Sequence, residues 1–204
     1  MKSQQEIATP NSVSVNAKEN TTIEPKKKQS PTKRITYIAT FTALSLVLKI
    51  WANQISQALP PSLKISLSYL GWYLSAAVLG SLGGGCVAIV TDVLGQLVLP
   101  QGGAVNPVIA LGNFSAAFVF GLLFNRLRFK SAPLRSVIGA AASTVVGTLG
   151  INSLGLYFMY YKSMPYFAYM VSFRLPQLLP VLVNVVLFCL LLPLTEKLKH
   201  NLES

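Results

Sequence analysis

Six long apolar stretches, beginning near Ile35, Leu63, Gly83, Pro107, Leu134 and Tyr166, fill almost everything after residue 34 and carry hardly any charge. A helix needs about 20 mostly apolar residues to cross the hydrocarbon of a bilayer. Backbone inside lipid must satisfy its own hydrogen bonds, which leaves helices or a closed barrel, and these runs lack the alternation of barrel strands. They predict an all-α integral membrane protein, a bundle of six transmembrane helices over residues 34–197. With 52% hydrophobic and 11% charged residues, a water-soluble globule of this length would have too few charges to cover its surface. Its 204 residues leave room for one bundle and no second domain.

The net charge of +11 invites a nucleic-acid reading, but the placement of the charges argues against one. Seven of the 17 basic residues precede the first span, four more (Arg126, Arg128, Lys130, Arg135) join the fourth span to the fifth, and Lys197 and Lys199 follow the sixth. Basic residues gather on the cytoplasmic side of membrane proteins, so both termini and the 126–135 connection are expected there, in a multi-pass protein of the cell (plasma) membrane. Residues 1–33 are polar and rich in Ser, Thr, Asn and Pro. They read as a disordered basic cytoplasmic tail and not as a secretory signal, with 198–204 as a second, short tail. Lys26–Lys28, Lys33 and Arg34 would sit on anionic headgroups. Cys86 and Cys189 fall toward the cytoplasmic side, where thiols stay reduced.

Several chemistries are excluded. No phosphate-cradling G-x-x-x-x-G-K-[ST] loop is present. The single histidine, His200, lies beyond the spans, so no membrane serine has an activating base. Asp92 is the sole carboxylate within the spans, and one carboxylate supplies neither an acid–base pair nor a metal site. No catalytic residue, metal or cofactor is expected, and the chain does not read as an enzyme.

Ionisable residues at membrane depth are costly and point to function. Here they are Lys49, Lys64, Asp92, Lys162 and Arg174, all but Asp92 toward the outer side. The three lysines could instead extend to the headgroups, whereas Arg174 is deeper and precedes Pro176. Asp92 requires either a partner such as Arg174 or a polar cavity, and structural pairing and ligand recognition both stand open. Gly83-Gly84-Gly85 is expected to form the short turn between spans two and three. Pro100-Gln101-Gly102-Gly103 breaks the chain at the outer surface, and Asn106-Pro107 opens span four. Asn106, Asn113 and Asn152 offer amides. Of the many outer aromatics, most suit an interfacial belt; Trp72 and Tyr73 lie deeper, where stacking on a flat ligand becomes plausible. Ala39 and Ala43, four residues apart in the first span, permit close approach of another helix.

The segments LKISLSYLGWYLSAAVLG, GGGCVAIVTDVLGQLVLPQGG and INSLGLYFMYYKSMPYFAYMVSFRLPQLLPV, with the Ala39/Ala43 pair, resemble the substrate-binding S component of energy-coupling factor (ECF) vitamin transporters over residues 34–196. Within that family they are most similar to the folate-specific branch, with Lys64, Asp92, Gly102, Gly103, Asn152 and Arg174 falling on its recurrent positions. Ala104–Ala110 departs from the aromatic-Pro-Gly-Phe-Thr segment usual there. The resemblance implies capture of a vitamin, folate favoured, from outside, and then association with a transmembrane coupling protein and two cytosolic ATPase subunits. It implies a ligand site in which Arg174 and Lys64 or Lys162 attract carboxylates, Asp92 or Asn106 meets a heterocycle, and Trp72 or Tyr69 stacks on it. Ala39 and Ala43 would face the coupling protein. The alternatives are an S component for another vitamin, such as pantothenate or a queuosine precursor, and a self-contained secondary transporter of a small anion. The latter ordinarily shows inverted repeats, and spans 1–3 do not match spans 4–6.

Overall fold

A computed structural model describes residues 31–58, 66–99, 106–127, 129 and 131–203. The first 30 residues, Lys64, Gly102 and Gly103 lie outside this set. Among the described residues the chain is helical throughout, without a strand. The helices are α1 (Pro31–Gln57), α2 (Ser68–Val98), α3 (Pro107–Arg126), α4 (Ala132–Ser143), α5 (Ser153–Tyr160), α6 (Tyr166–Tyr169), α7 (Leu178–Leu190) and α8 (Leu192–Glu203). A π-helical segment, Thr144–Asn152, joins α4 to α5, and a second, Met170–Arg174, continues α6. Four helical stretches among the described residues are long and apolar enough to cross a membrane: Pro31–Gln57, Ser68–Val98, Pro107–Arg126 and Ala132–Tyr160. The pair Tyr166–Arg174 and Leu178–Leu190, bent by 43°, makes a fifth if taken as one span. Pro176 sits in that bend, where its missing N–H cannot continue a helical ladder.

Helix α2 is a hairpin of two arms. Gly80 has φ 84° and ψ 178°, a conformation open in practice only to glycine. A Cβ on Gly84 would fall 2.7 Å from Ala76 Cα, although eight residues of continuous helix span about 12 Å. The chain therefore doubles back at Gly80, not at the expected Gly83–Gly85. Those three glycines are helical and buried: Gly83 and Gly84 let the second arm press against the first at Leu79 and Ala76, and Gly85 makes room for Phe114 of α3. Just before the turn, the carbonyl of Ala76 accepts from Asn125 Nδ2 of α3 at 3.0 Å. A Cβ on Gly121 would fall 2.8 Å from Ser81 Cα, so the hairpin tip and the end of α3 share one end of the bundle.

Helix α1 runs alongside both arms. Ser45 lies against Gly71, and four residues on Lys49 lies against Gly95, which sends Lys33 and Arg34 to the hairpin-tip end. Tyr73 of α2 stacks on Phe120 of α3 (centroids 4.1 Å apart), and Phe188 of α7 meets Phe120 edge-on at 5.2 Å. Asn184, buried in α7, accepts from the backbone N–H of Leu70 (3.0 Å) and donates to the carbonyl of Ser66 (2.6 Å). It thereby caps the start of α2 from another helix. Residues 198–203 continue α8, whose Leu198 and Leu202 pack on the bundle core.

Candidate functional site

Asn106 begins the site by beginning α3. Its side chain accepts from the N–H of Val108 (3.0 Å) and Pro107 follows, a favourable helix start. Its backbone N–H donates to Gln96 Oε1 (2.9 Å), and Gln96 Nε2 donates to Asp92 Oδ2 (2.5 Å). Asp92 in turn pairs with Lys49 of α1, Nζ to Oδ1 at 2.8 Å. The expected partner Arg174 is not used. Lys49 turns inward because its flexible stem reaches over Gly95, where any side chain would meet it. The Lys49–Asp92–Gln96–Asn106 chain ties α1, the second arm of α2 and the start of α3 together.

A second polar group surrounds Arg174. Asn152 and Arg174 are each the last residue of a π-helical segment, a distortion common at functional sites. The guanidinium donates to Tyr169 Oη (Nε, 2.8 Å), Gln177 Oε1 (2.9 Å) and the carbonyl of Asn152 (3.3 Å). Asn152 Nδ2 donates to Asn113 Oδ1 at 3.1 Å. Arg174 is only 6% exposed, yet no carboxylate among the described residues pairs with it. Its partners are neutral, so a buried positive charge remains uncompensated, which is costly unless an anion arrives.

Arg174 and Gln177 form the polar side of a cavity of about 570 Å³. Tyr160, Tyr161, Tyr169 and Phe173 supply aromatic walls, with Ile109 and Leu156 beside them. This volume suits a small organic ligand. Tyr69 and Trp72 lie deeper in the bundle, rings 4.8 Å apart, with the Tyr69 hydroxyl 3.2 Å from that of Thr148 in the π-segment ending at Asn152. Two buried polar atoms nearby, Trp72 Nε1 and Asn152 Oδ1, have no hydrogen-bond partner among the described residues. One is a donor and the other an acceptor.

The structure thus brings Asn152 to Arg174, Tyr69 to Trp72, and Asp92 to Asn106 through Gln96. Asn106 already spends its side-chain oxygen on the helix cap and points Nδ2 at the Met159 sulfur, 3.6 Å away. Tyr73 is taken by Phe120 and by the Ser143 hydroxyl at 3.2 Å. Lys162 is exposed, 5.9 Å from the Phe158 ring centroid, and does not line the cavity. Sequence reasoning passed over Gln96, Gln177, Tyr169 and Phe173. The spacing Arg174-x-x-Gln177 was a usable signal, whereas the aromatics were indistinguishable from an interfacial belt.

The profile of the family "ECF transporter, substrate-specific component" matches residues 33–192. A protein of Clostridium novyi (strain NT) named folate transporter FolT is 26% identical over 116 residues, which is 57% of this chain and 66% of that relative.

Proposed function

The chain belongs to the family of substrate-specific components of ECF transporters, and on that premise we propose that it captures folate from outside the cell for import driven by separate subunits. The observation that carries the ligand reading is the buried, carboxylate-free Arg174 in an aromatic cavity. Folate brings what this lining lacks: a carboxylate for the guanidinium, a flat ring for the aromatic walls, and a heterocycle with donors and acceptors. The relative named as a folate transporter supports the same choice.

Six crossings follow if each arm of the α2 hairpin counts as one and Tyr166–Leu190 as another. The end carrying Lys33, Arg34, Arg126, Arg135 and Lys199 then faces the cytoplasm, and the Arg174 cavity opens outward. Ala39 and Ala43 are both exposed on α1, in a stripe with Ile35, Val47 and Trp51 at intervals of four. That face would receive the transmembrane coupling protein, which links the chain to two cytosolic ATPase subunits. A self-contained secondary transporter fits less well, because the family is one of components and not of whole transporters.

Native mass spectrometry of the purified protein in mild detergent, with titrated folate, tests the reading. One folate per chain is expected. Arg174→Ala should weaken binding by about 2 kcal/mol or more, the cost of truncating a buried charged contact. Retention of pantothenate or another vitamin in place of folate would refute the ligand while keeping the class. Unchanged folate affinity in Arg174→Ala would refute the site.

A further inference from the structure

A second cavity, of about 190 Å³, lies at the hairpin-tip end, lined by Phe124, Asn125, Arg135, Thr195, Glu196 and Lys199 among others. Its Phe124 and the other cavity's Ile109 are separated by 15 residues of α3, or about 22 Å. The space is below the roughly 300 Å³ at which small-molecule pockets begin. The guanidinium of Arg135 is held over the Phe124 ring, 5.2 Å from its centroid. Its Nε is buried and has no hydrogen-bond partner among the described residues. Lys199 reaches Asn125 Oδ1 only at 3.5 Å, while the Asn125 amide is committed to the carbonyls of Ala76 and Gly121. Thr195 has already given its hydroxyl proton to Leu192 O at 2.7 Å. Glu196 is exposed and pairs with neither cation.

We infer that this cavity is a phosphate site, filled by the headgroup phosphate of an anionic phospholipid. An arginine presents adjacent N–H groups in a fixed fork that matches phosphate oxygens, and an ammonium adds a second charge. Here the fork is preset by its aromatic stack and one of its donors is idle. Basic pockets between helices at the cytoplasmic face suit anionic headgroups. The site also lies at the right depth: α8 turns Leu198 and Leu202 toward the core and Lys197, Lys199 and His200 to the surroundings, as an interfacial helix does. A phosphate held between Arg135 and Lys199 would pin α8 to α4. The shared chemistry is the phosphate group, so inorganic phosphate is the competing source.

The test is a native mass spectrometry titration of the full chain in neutral detergent with phosphatidylglycerol, with diacylglycerol of the same acyl chains, and with inorganic phosphate. One phosphatidylglycerol should be retained and diacylglycerol should not. Arg135→Gln should lower phosphatidylglycerol affinity roughly tenfold or more, the loss of a charged hydrogen bond, and Lys199→Gln should lower it less. Inorganic phosphate bound as tightly as the lipid, and lost in both variants, would assign the site to free phosphate. Equal retention of diacylglycerol, or wild-type lipid affinity in both variants, would overturn the proposal. Lys199 is exposed, so its variant carries the test if Arg135→Gln does not fold. Folate binding should survive both, which separates this outcome from that of the Arg174 cavity.

Discussion

Lys49→Met leaves the Asp92 carboxylate, its side chain only 6% exposed, with Gln96 as its remaining side-chain partner. Breaking a fully buried ion pair by removing one member costs about 3–5 kcal/mol. The Lys49 side chain is 22% exposed, so solvent screens the pair and the lower end, about 3 kcal/mol, is expected. The reverse change is milder. Asp92→Asn keeps an amide for Gln96, and the freed ammonium can extend along its stem toward the headgroups, so about 1 kcal/mol is expected. The double variant Lys49→Met/Asp92→Asn should then be no worse than Asp92→Asn alone, a coupling of about 3 kcal/mol. Equilibrium unfolding of the four proteins in one detergent, read by loss of helical circular dichroism, gives the cycle. Strictly additive costs, or a silent Lys49→Met, would refute the view that the pair braces α1 against the second arm of α2.

Gly80→Ala meets no neighbour within 4 Å, so its cost is backbone strain at φ 84° alone, about 1–3 kcal/mol, measurable by the same unfolding experiment. A neutral result would mean the hairpin tip relaxes freely. Asn184→Leu removes one of the two acceptors of Leu70 N–H, which keeps Leu67 O at 3.2 Å, and the donor for Ser66 O. The Ser66 carbonyl left unpaired costs about 1–3 kcal/mol, and hydrogen exchange at the start of α2 should accelerate; unchanged protection there would show that water replaces the cap.

Much of the fold was legible because lipid imposes a simple rule on sequence. The apolar runs mark helices, and Pro107 after Asn106 marks a helix start within a residue. The hairpin between the second and third runs was legible too, but its tip was misplaced. A triple glycine is the obvious turn signal, yet the positive φ belongs to Gly80, while Gly83 and Gly84 serve close packing between the arms and Gly85 close packing against α3. Sequence pattern cannot separate those two uses of glycine, since both need the absence of a Cβ.

The site divides in the same way. That Asp92 and Arg174 stand out follows from the cost of charge at membrane depth, a property of single residues. Which groups answer them is a property of pairs. Lys49 and Asp92 are 43 residues apart and meet only because α1 runs antiparallel to the first arm of α2 and hence alongside the second. Arg174 is left to neutral partners for the complementary reason: the break at Pro176 and the two π-helical segments turn it toward Asn152, Tyr169 and Gln177, away from the sole carboxylate in the apolar spans. The sequence alone determined that this chain crosses a membrane as helices and carries two buried charges of opposite sign. The tertiary structure decided that one is neutralised and the other stays available, because hydrogen bonds and ion pairs act over a few ångströms and only packing sets those distances.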